Sequence, residues 1–281
     1  MEIALQKEFL KSWVLSVHSK GKTIGFVPTM GALHDGHLDL VRKARTECDV
    51  VIVSIFVNPL QFNNAGDLEK YPRPISEDQK LLEAEGVDLL YSPTADDFYS
   101  SPSRLTLDFG SVASGLEGAM RPGHFSGVGI VVARLFHLVS PDKAYFGAKD
   151  LQQVAVIRAL VRDLDFNVEV IRCPTRREES GLAMSSRNLR LTSEGWKTAS
   201  HLFKALKLAS GIEDPVSGKQ EAVRYLSQYG GIEVEYLEWV NAETMEIWNG
   251  SSPAPHETAI CIAAWIEGVR LIDNIVLNDF E

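Results

Sequence analysis

The stretch Phe26-Val-Pro-Thr-Met-Gly-Ala-Leu-His-Asp-Gly-His37 constrains this chain more than any other. Before it, Thr23-Ile-Gly-Phe-Val27 is apolar and rich in β-branched and aromatic residues, which is the composition of a short buried strand. After it, apolar positions 38, 41, 44/45 and 48 recur on one helical face, and Asp35 is placed to cap that helix. A second strand pattern, Val50-Val-Ile-Val-Ser-Ile-Phe-Val57, follows at once and is too apolar to be half exposed. Strand, helix and strand in this order predict a parallel sheet covered on both faces, an α/β fold.

The turn itself points to anion chemistry. Gly31 and Gly36 let the backbone approach a ligand closely, and the free N–H groups at a helix start attract anions. His34 and His37 at that place can donate to phosphate oxygens, or stabilise charge as a phosphoryl group reacts. Two other readings stand beside this one. An H-x-x-H pair can hold a metal, but the second histidine-bearing turn and the glutamate of a zinc protease are missing. It can also be two surface histidines beside an ordinary turn. The glycines and the strand-to-helix setting favour phosphate. The motif is similar to the HxGH signature of nucleotidyltransferases, which hold ATP on a Rossmann-like sheet and direct attack onto its α-phosphate.

With 281 residues the chain can bury a sizeable core and form two domains. Its net charge of −10 implies no general attraction to nucleic acid or to an anionic membrane. An anionic substrate must therefore be drawn in by a local cluster. Cys48, Cys173 and Cys261 are odd in number and far apart. They fit neither a disulfide framework nor a zinc site and imply a reducing compartment. No signal peptide or membrane span is recognisable, so a cytoplasmic protein is expected.

Further along, residues 1–20 suggest an amphipathic helix. Asn58 and Gln61 follow the 50–57 strand, and Pro59 forces this segment out of regular pairing. Ligands in open α/β sheets sit at the carboxyl ends of strands, which makes both residues candidate contacts. A helix over 76–86, a strand over 87–91 and a turn-rich section from Pro93 to Pro102 come next. Arg121 and His124, in a glycine-rich segment from 115 to 127, are donors suited to carboxylate or phosphate. Residues 128–139 read as a buried helix. Lys143–Gly147 reads as a strand, and then Lys149 stands just outside a helix start, well placed for a phosphate. Asp150 and Gln153 have the spacing of a capping box.

Asn167–Cys173 reads as the last strand of this part. Met184-Ser-Ser-Arg187 then offers two hydroxyls and a guanidinium side by side in a loop. From Thr192 the pattern changes to helices over about 193–210 and 219–229, separated by Gly211–Pro215. Strands follow over 232–240, 258–265 and 269–276, although the alternation through Val234, Tyr236, Glu238 and Val240 is only partly clean. The expected organisation is a Rossmann-like parallel-sheet domain over 1–175 and a smaller α+β lid domain over 176–281.

Taken together, these segments resemble the pantothenate synthetase (pantoate–β-alanine ligase) family. The matching pieces are PTMGALHDGH (28–37), VSIFVNPLQF (53–62), YPR (71–73), GLEGAMRPGHFSGV (115–128), PDKAYFGAKDLQQ (141–153) and GLAMSSRN (181–188). The resemblance implies that Mg-ATP adenylates the carboxylate of (R)-pantoate and releases pyrophosphate. The amine of β-alanine then attacks the pantoyl adenylate, giving pantothenate and AMP. It implies ATP with Mg2+ as substrate, no tightly bound cofactor and a homodimer, with no nucleic-acid or membrane partner.

Residue by residue, the resemblance implies catalytic roles for His34, His37 and Lys149, with His37 as proton donor. ATP would be lined by Met30, Gly31, Ala32, Leu33, His34, Asp35, Gly36 and His37. Gly147, Ala148, Lys149 and Asp150 would join them, with Arg176, Met184, Ser185, Ser186 and Arg187 across the site. Lys149 would meet phosphate and Asp150 the ribose, while Gln61 and Gln153 would hold pantoate. For Gln153 this competes with the capping box.

Three positions depart from the family pattern. Ala148 stands where a glutamate is expected, Arg176 where a small apolar residue is, and Ser180 where an aspartate is. A cytidylyltransferase would share the first loop but not the segments around Gln61 and Gln153. A class I tRNA synthetase is disfavoured by the short, acidic chain. A non-enzymatic nucleotide-binding module would bind ATP without pantoate-dependent release of pyrophosphate.

Overall fold

The computed structural model describes residues 1–63, 65–69, 71–101 and 103–277; Pro102, the end of the turn-rich section, lies outside them. Six strands form one parallel sheet: β1 (Glu2–Ala4), β2 (Ile24–Thr29), β3 (Val50–Ile55), β4 (Leu89–Tyr91), β5 (Lys143–Gly147) and β6 (Glu169–Cys173). Their spatial order is β1-β4-β3-β2-β5-β6. Every residue of β3 is buried because both faces are covered. Val50 and Ile52 pack towards the Lys7–His18 and His124–Val139 helices, and Val51 and Val53 towards the Asp35–Glu47 helix.

The order reverses at β2. Its chain continues first to β3 on one side and later, through β5, to the other. Such a reversal is where a parallel sheet opens a crevice at its carboxyl edge. Here β2 stays paired with β3 as far as Thr29 and Ile55, but its pairing with β5 covers only Gly25 and Phe26. Pro28, which cannot donate to a ladder, falls beyond the part of β2 that pairs with β5.

A second sheet is antiparallel, with β7 (Ile232–Asn241), β8 (Thr258–Ile266) and β9 (Val269–Val276) in that order. The helices Ser193–Ala199, His201–Ser210 and Pro215–Leu226 accompany it; Leu202, Leu206 and Leu226 pack with Trp239 and Ile262 in its core. The two cores meet where Leu116, Leu151 and Ala155 pack against Val240, Met245 and Cys261. Beside this apolar junction, Arg270 binds both carboxylate oxygens of Glu117 at 2.6 and 2.8 Å, and the Tyr236 hydroxyl donates to the same group.

Four sequence expectations need correction. Residues 2–4 form a strand rather than part of a helix, because they add to the sheet edge opposite Leu89–Tyr91. The Asp35–Glu47 helix is capped by His34, whose Nδ1 accepts from the Gly36 N–H. Pro215 does not separate two helices but begins one, with Asp214 as its cap; proline suits a first helical position, whose N–H has no partner to lose. The blurred alternation in β7 has its cause in a bulge between Val234 and Tyr236, which turns Leu237 and Trp239 into the core.

The Glu117–Arg270 pair is buried, and removing one partner of such a pair leaves the other charge uncompensated. Glu117→Ala is expected to lower stability by about 3 kcal/mol, read from urea unfolding.

Candidate active site

The β2 turn is held by groups distant in sequence. Gly31 has φ +81°, and a Cβ there would lie 2.9 Å from Asp78 Oδ2. The approach is close because Asp78, buried on the Ile75–Ala84 helix, accepts the N–H groups of Ala32 at 2.9 Å and Leu33 at 2.8 Å. Met30 and Gly31 border an apolar cavity of about 440 Å³ with Ile55 and Phe56.

Beyond the turn, the rings of His34 and His37 lie 4.1 Å apart between centroids. The Gly36 N–H donates to His34 Nδ1 at 3.2 Å, and the His34 N–H donates to His37 Nδ1 at 3.4 Å. A backbone N–H can only donate, so each Nδ1 carries a lone pair and each neutral ring keeps its hydrogen on Nε2. Burial, helped by the Lys149 ammonium, lowers His34 to about 4. Burial, His34 and Lys149 lower His37 to about 3. Both imidazoles are therefore neutral hydrogen-bond donors at neutral pH.

At the end of β3, Asn58 is buried and uses all of its hydrogen-bonding capacity. Its amide donates to Gln61 Oε1 and the Gly127 carbonyl, while its oxygen accepts from the Leu60 N–H and the Tyr99 hydroxyl. With Oε1 held in this way, the Gln61 NH2 group donates to Met30 Sδ at 2.8 Å. The Gln61 backbone carbonyl accepts from His124 Nδ1 at 2.9 Å, which ties this nitrogen to the scaffold while the ring also lines the smaller cavity. Burial and then Arg121 lower His124 to about 4. Gly127 passes so close that a Cβ there would lie 2.3 Å from the Leu60 carbonyl oxygen.

Two connected cavities open between the units. The larger, about 450 Å³, has Arg121, Lys149 and Asp150 on one side and Ser185, Arg187 and Arg190 on the other. The smaller shares Lys149 and Asp150 and adds Gln153. Glu117 and Glu235 are paired with Arg270, and Asp273 with Arg177. The larger cavity's described walls carry five cations, Arg121, Lys149, Arg187, Arg190 and Arg270, among the carboxylates of Glu117, Asp150, Glu235 and Asp273. This is the local basic cluster that an acidic chain needs to receive an anion.

Lys149, Asp150, Gln153, Ser185 and Arg187 thus come together. His34 and His37 do not line these cavities, although the Lys149 charge reaches both rings. The predicted capping box is absent: Asp150 precedes the Leu151–Asp163 helix without a side-chain cap, leaving the Gln153 side chain to the cavity. Ser185 instead caps the next turn, accepting from the Arg187 N–H. Asp35 is exposed, and Arg176 pairs with Asp39 at 3.4 Å while its carbonyl accepts the Met184 N–H. Ala148 is buried, at the end of β5 after Gly147.

Among the described residues, no group of three or more His, Cys, Asp or Glu side chains is arranged to hold a metal ion. The donor set still fits Mg2+, which takes one or two carboxylates and completes its shell with substrate phosphates. Asp150 is the half-exposed carboxylate among the cations.

Asp78, Glu117, Arg270 and Asn274 were not singled out from sequence. Each acts through a partner at least 45 positions away, and no local spacing marks such a role.

The whole chain has close relatives. The family model for pantoate-beta-alanine ligase matches residues 2–276. A pantothenate synthetase of Cytophaga hutchinsonii is 52% identical over 263 residues, 92% of this chain and 93% of that protein. The crystal structure of pantothenate synthetase from Thermus thermophilus superposes with TM-score 0.91 at 40% identity, covering 99% of both chains. That of pantoate-beta-alanine ligase from Francisella tularensis, complexed with beta-gamma ATP and beta-alanine, gives 0.83 at 38% identity over 99% of this chain and 98% of that one.

Two outcomes follow from this geometry. Gly127→Ala must displace the Leu60–Gln61 backbone, and a shift of about 1 Å at a reacting group can cost about 100-fold in rate. A fall of that order in kcat/KM for pantoate is expected from steady-state kinetics. His34, His37 and His124 bind protons less readily folded than unfolded. Stability of the ligand-free protein should therefore be full above their ordinary value of 6.5 and fall as pH drops towards 4. Thermal unfolding at a series of pH values measures this.

Proposed function

This chain belongs to the pantoate–β-alanine ligase family, and from that membership we propose how its residues divide the reaction. The protein is an ATP-dependent ligase that condenses pantoate with β-alanine. A pantoate carboxylate oxygen bonds to the α-phosphorus of ATP as pyrophosphate leaves. The β-alanine amine then bonds to the acyl carbon as AMP leaves.

The observation that carries the residue assignment is the pair of neutral imidazoles with their Nε2 hydrogens fixed, beside the Lys149 charge. Such groups stabilise charge developing on the α-phosphate by donating hydrogen bonds. Burial, His34 and Lys149 keep His37 neutral in the ligand-free protein, so it meets the nucleotide as a neutral donor. Lys149, Ser185, Ser186 and Arg187 embrace the phosphates, with backbone from Met30 to His37, Gly147–Ala148, Arg176 and Met184 along the nucleotide. Mg2+, bound by the phosphates, would neutralise part of their charge; Asp150 is the carboxylate available to it or to the ribose.

The NH2 of Gln61, which would exchange its bond to Met30, and the side chain of Gln153 suit the oxygens of pantoate. Arg121, in the cavity walls, suits the β-alanine carboxylate. The 1–175 and 176–281 segments are the catalytic domain and its lid. Free cysteines fit a cytoplasmic setting. The family resemblance supports a homodimer, testable as a light-scattering mass of twice the 31.1 kDa chain.

The functional test is isotope exchange between pyrophosphate and ATP with β-alanine omitted. Exchange should require pantoate, and exchange without it, or none despite ATP binding, refutes the adenylation reading. His37→Ala should slow exchange by about 10²–10³-fold, the usual loss for one such donor. An unchanged rate would remove His37 from the chemistry.

A further inference from the structure

Asn274 lies on β9, far in sequence from every residue assigned to the nucleotide. It is 5% exposed, and its side-chain amide donates one hydrogen to the Ala148 carbonyl and the other to the Lys149 carbonyl, each at 2.9 Å. Carbonyls only accept, so the amide orientation is fixed by two backbone groups. The turn that carries Lys149 is therefore held from the opposite unit.

The other side of Asn274 faces the second phosphate loop. Its carbonyl accepts from Arg177 Nη2 at 3.0 Å, and its N–H donates to Asp273 Oδ1 at 2.8 Å. Arg177 grips both oxygens of Asp273, at 2.7 and 3.0 Å, and donates to the Gly181 carbonyl. Arg177 also forms a bridge with Ala183, where the chain enters Met184–Arg187. One residue thus ties together the Lys149 turn of the parallel-sheet unit and the loop of the other unit that carries Ser185 and Arg187.

We propose that Asn274 is a positioning residue that yokes the two halves of the triphosphate cradle, so that phosphate capture by Lys149 depends on docking of the C-terminal unit. This rests on the assignment of Lys149 and the 184–187 loop to the ATP phosphates. With the amide gone, the Lys149 turn loses its anchor on β9 while Gln61 and its supports are untouched. The effect therefore falls more on ATP than on pantoate, for which Gln61 remains in place while Gln153 follows the turn. A residue serving the fold in general would disturb both alike.

The test compares Asn274→Leu, Asn274→Ser, Lys149→Ala and the double variant Lys149→Ala/Asn274→Leu in the full chain. Equilibrium binding of a non-hydrolysable ATP analogue and pyrophosphate exchange are the two readouts. Asn274→Leu should weaken analogue binding about tenfold, a loss of the size that follows when one anchored charge contact is misplaced. KM for ATP should rise with it, by a larger factor than KM for pantoate. Asn274→Ser retains one donor and should fall between, which keeps the test decisive if the leucine variant does not fold. Adding Asn274→Leu to Lys149→Ala should cost little more, because residues that act through one another are not additive.

Wild-type analogue binding in either folded Asn274 variant, or losses that multiply in the double variant, overturns the proposal. Wild-type binding by Lys149→Ala alone would instead refute the role given to Lys149.

Discussion

The parting of β2 from β5 governs the rest of this molecule. Two parallel strands that remain hydrogen-bonded to their ends leave no room for a ligand between them. Here the β2–β5 ladder stops at Phe26 and Ala144, while β2 continues along β3 to Thr29. The His34–His37 turn leaves one side of that opening and Lys149 the other. The residues proposed for the nucleotide are attached to one of these two strand ends or to the unit that docks over them.

The turns are ordered by partners that pay no attention to sequence distance. Asp78 collects the amides of Ala32 and Leu33, Asn58 and His124 hold Gln61, and Asn274 holds the Lys149 turn. Fully satisfied buried polar groups rigidify their surroundings, since any rotation would leave a donor or acceptor unpaired in a poorly solvated place. A loop that would otherwise sample many conformations is thus held ready. The cost of ordering it is met during folding rather than when the substrates bind.

Charge is distributed by the same logic. An overall charge of −10 would repel ATP, yet the carboxylates of the cleft are interleaved with cations: Arg270 binds Glu117 and Glu235, Arg177 binds Asp273, and Arg121, Lys149, Arg187 and Arg190 also stand on its walls. The cations in turn help to keep His34 neutral, since the Lys149 field disfavours a second positive charge beside it. The fixed tautomer leaves an Nε2 hydrogen on each ring available for donation.

Much of this was legible in the residues alone. The unbroken apolar run of β3 required a sheet covered on both sides, and the apolar stretch, glycines and helical spacing of 23–48 required a strand-to-helix turn. Local rules failed where a tertiary partner outbid a neighbour. Asp150 and Gln153 had the spacing to cap a helix, yet no side-chain cap forms and Gln153 faces the cavity. His34 took the cap expected of Asp35. Residues 2–4 joined a sheet edge that only exists once β4 is in place. Sequence by itself determined the parallel sheet, the strand-to-helix turn and the family, because periodicity and short motifs record local backbone and face requirements. Tertiary structure alone decided the tautomers of His34 and His37, the direction of the Gln61 amide and the anchoring of Lys149 by Asn274. Each of those depends on a hydrogen-bond partner or a burial that no local pattern encodes.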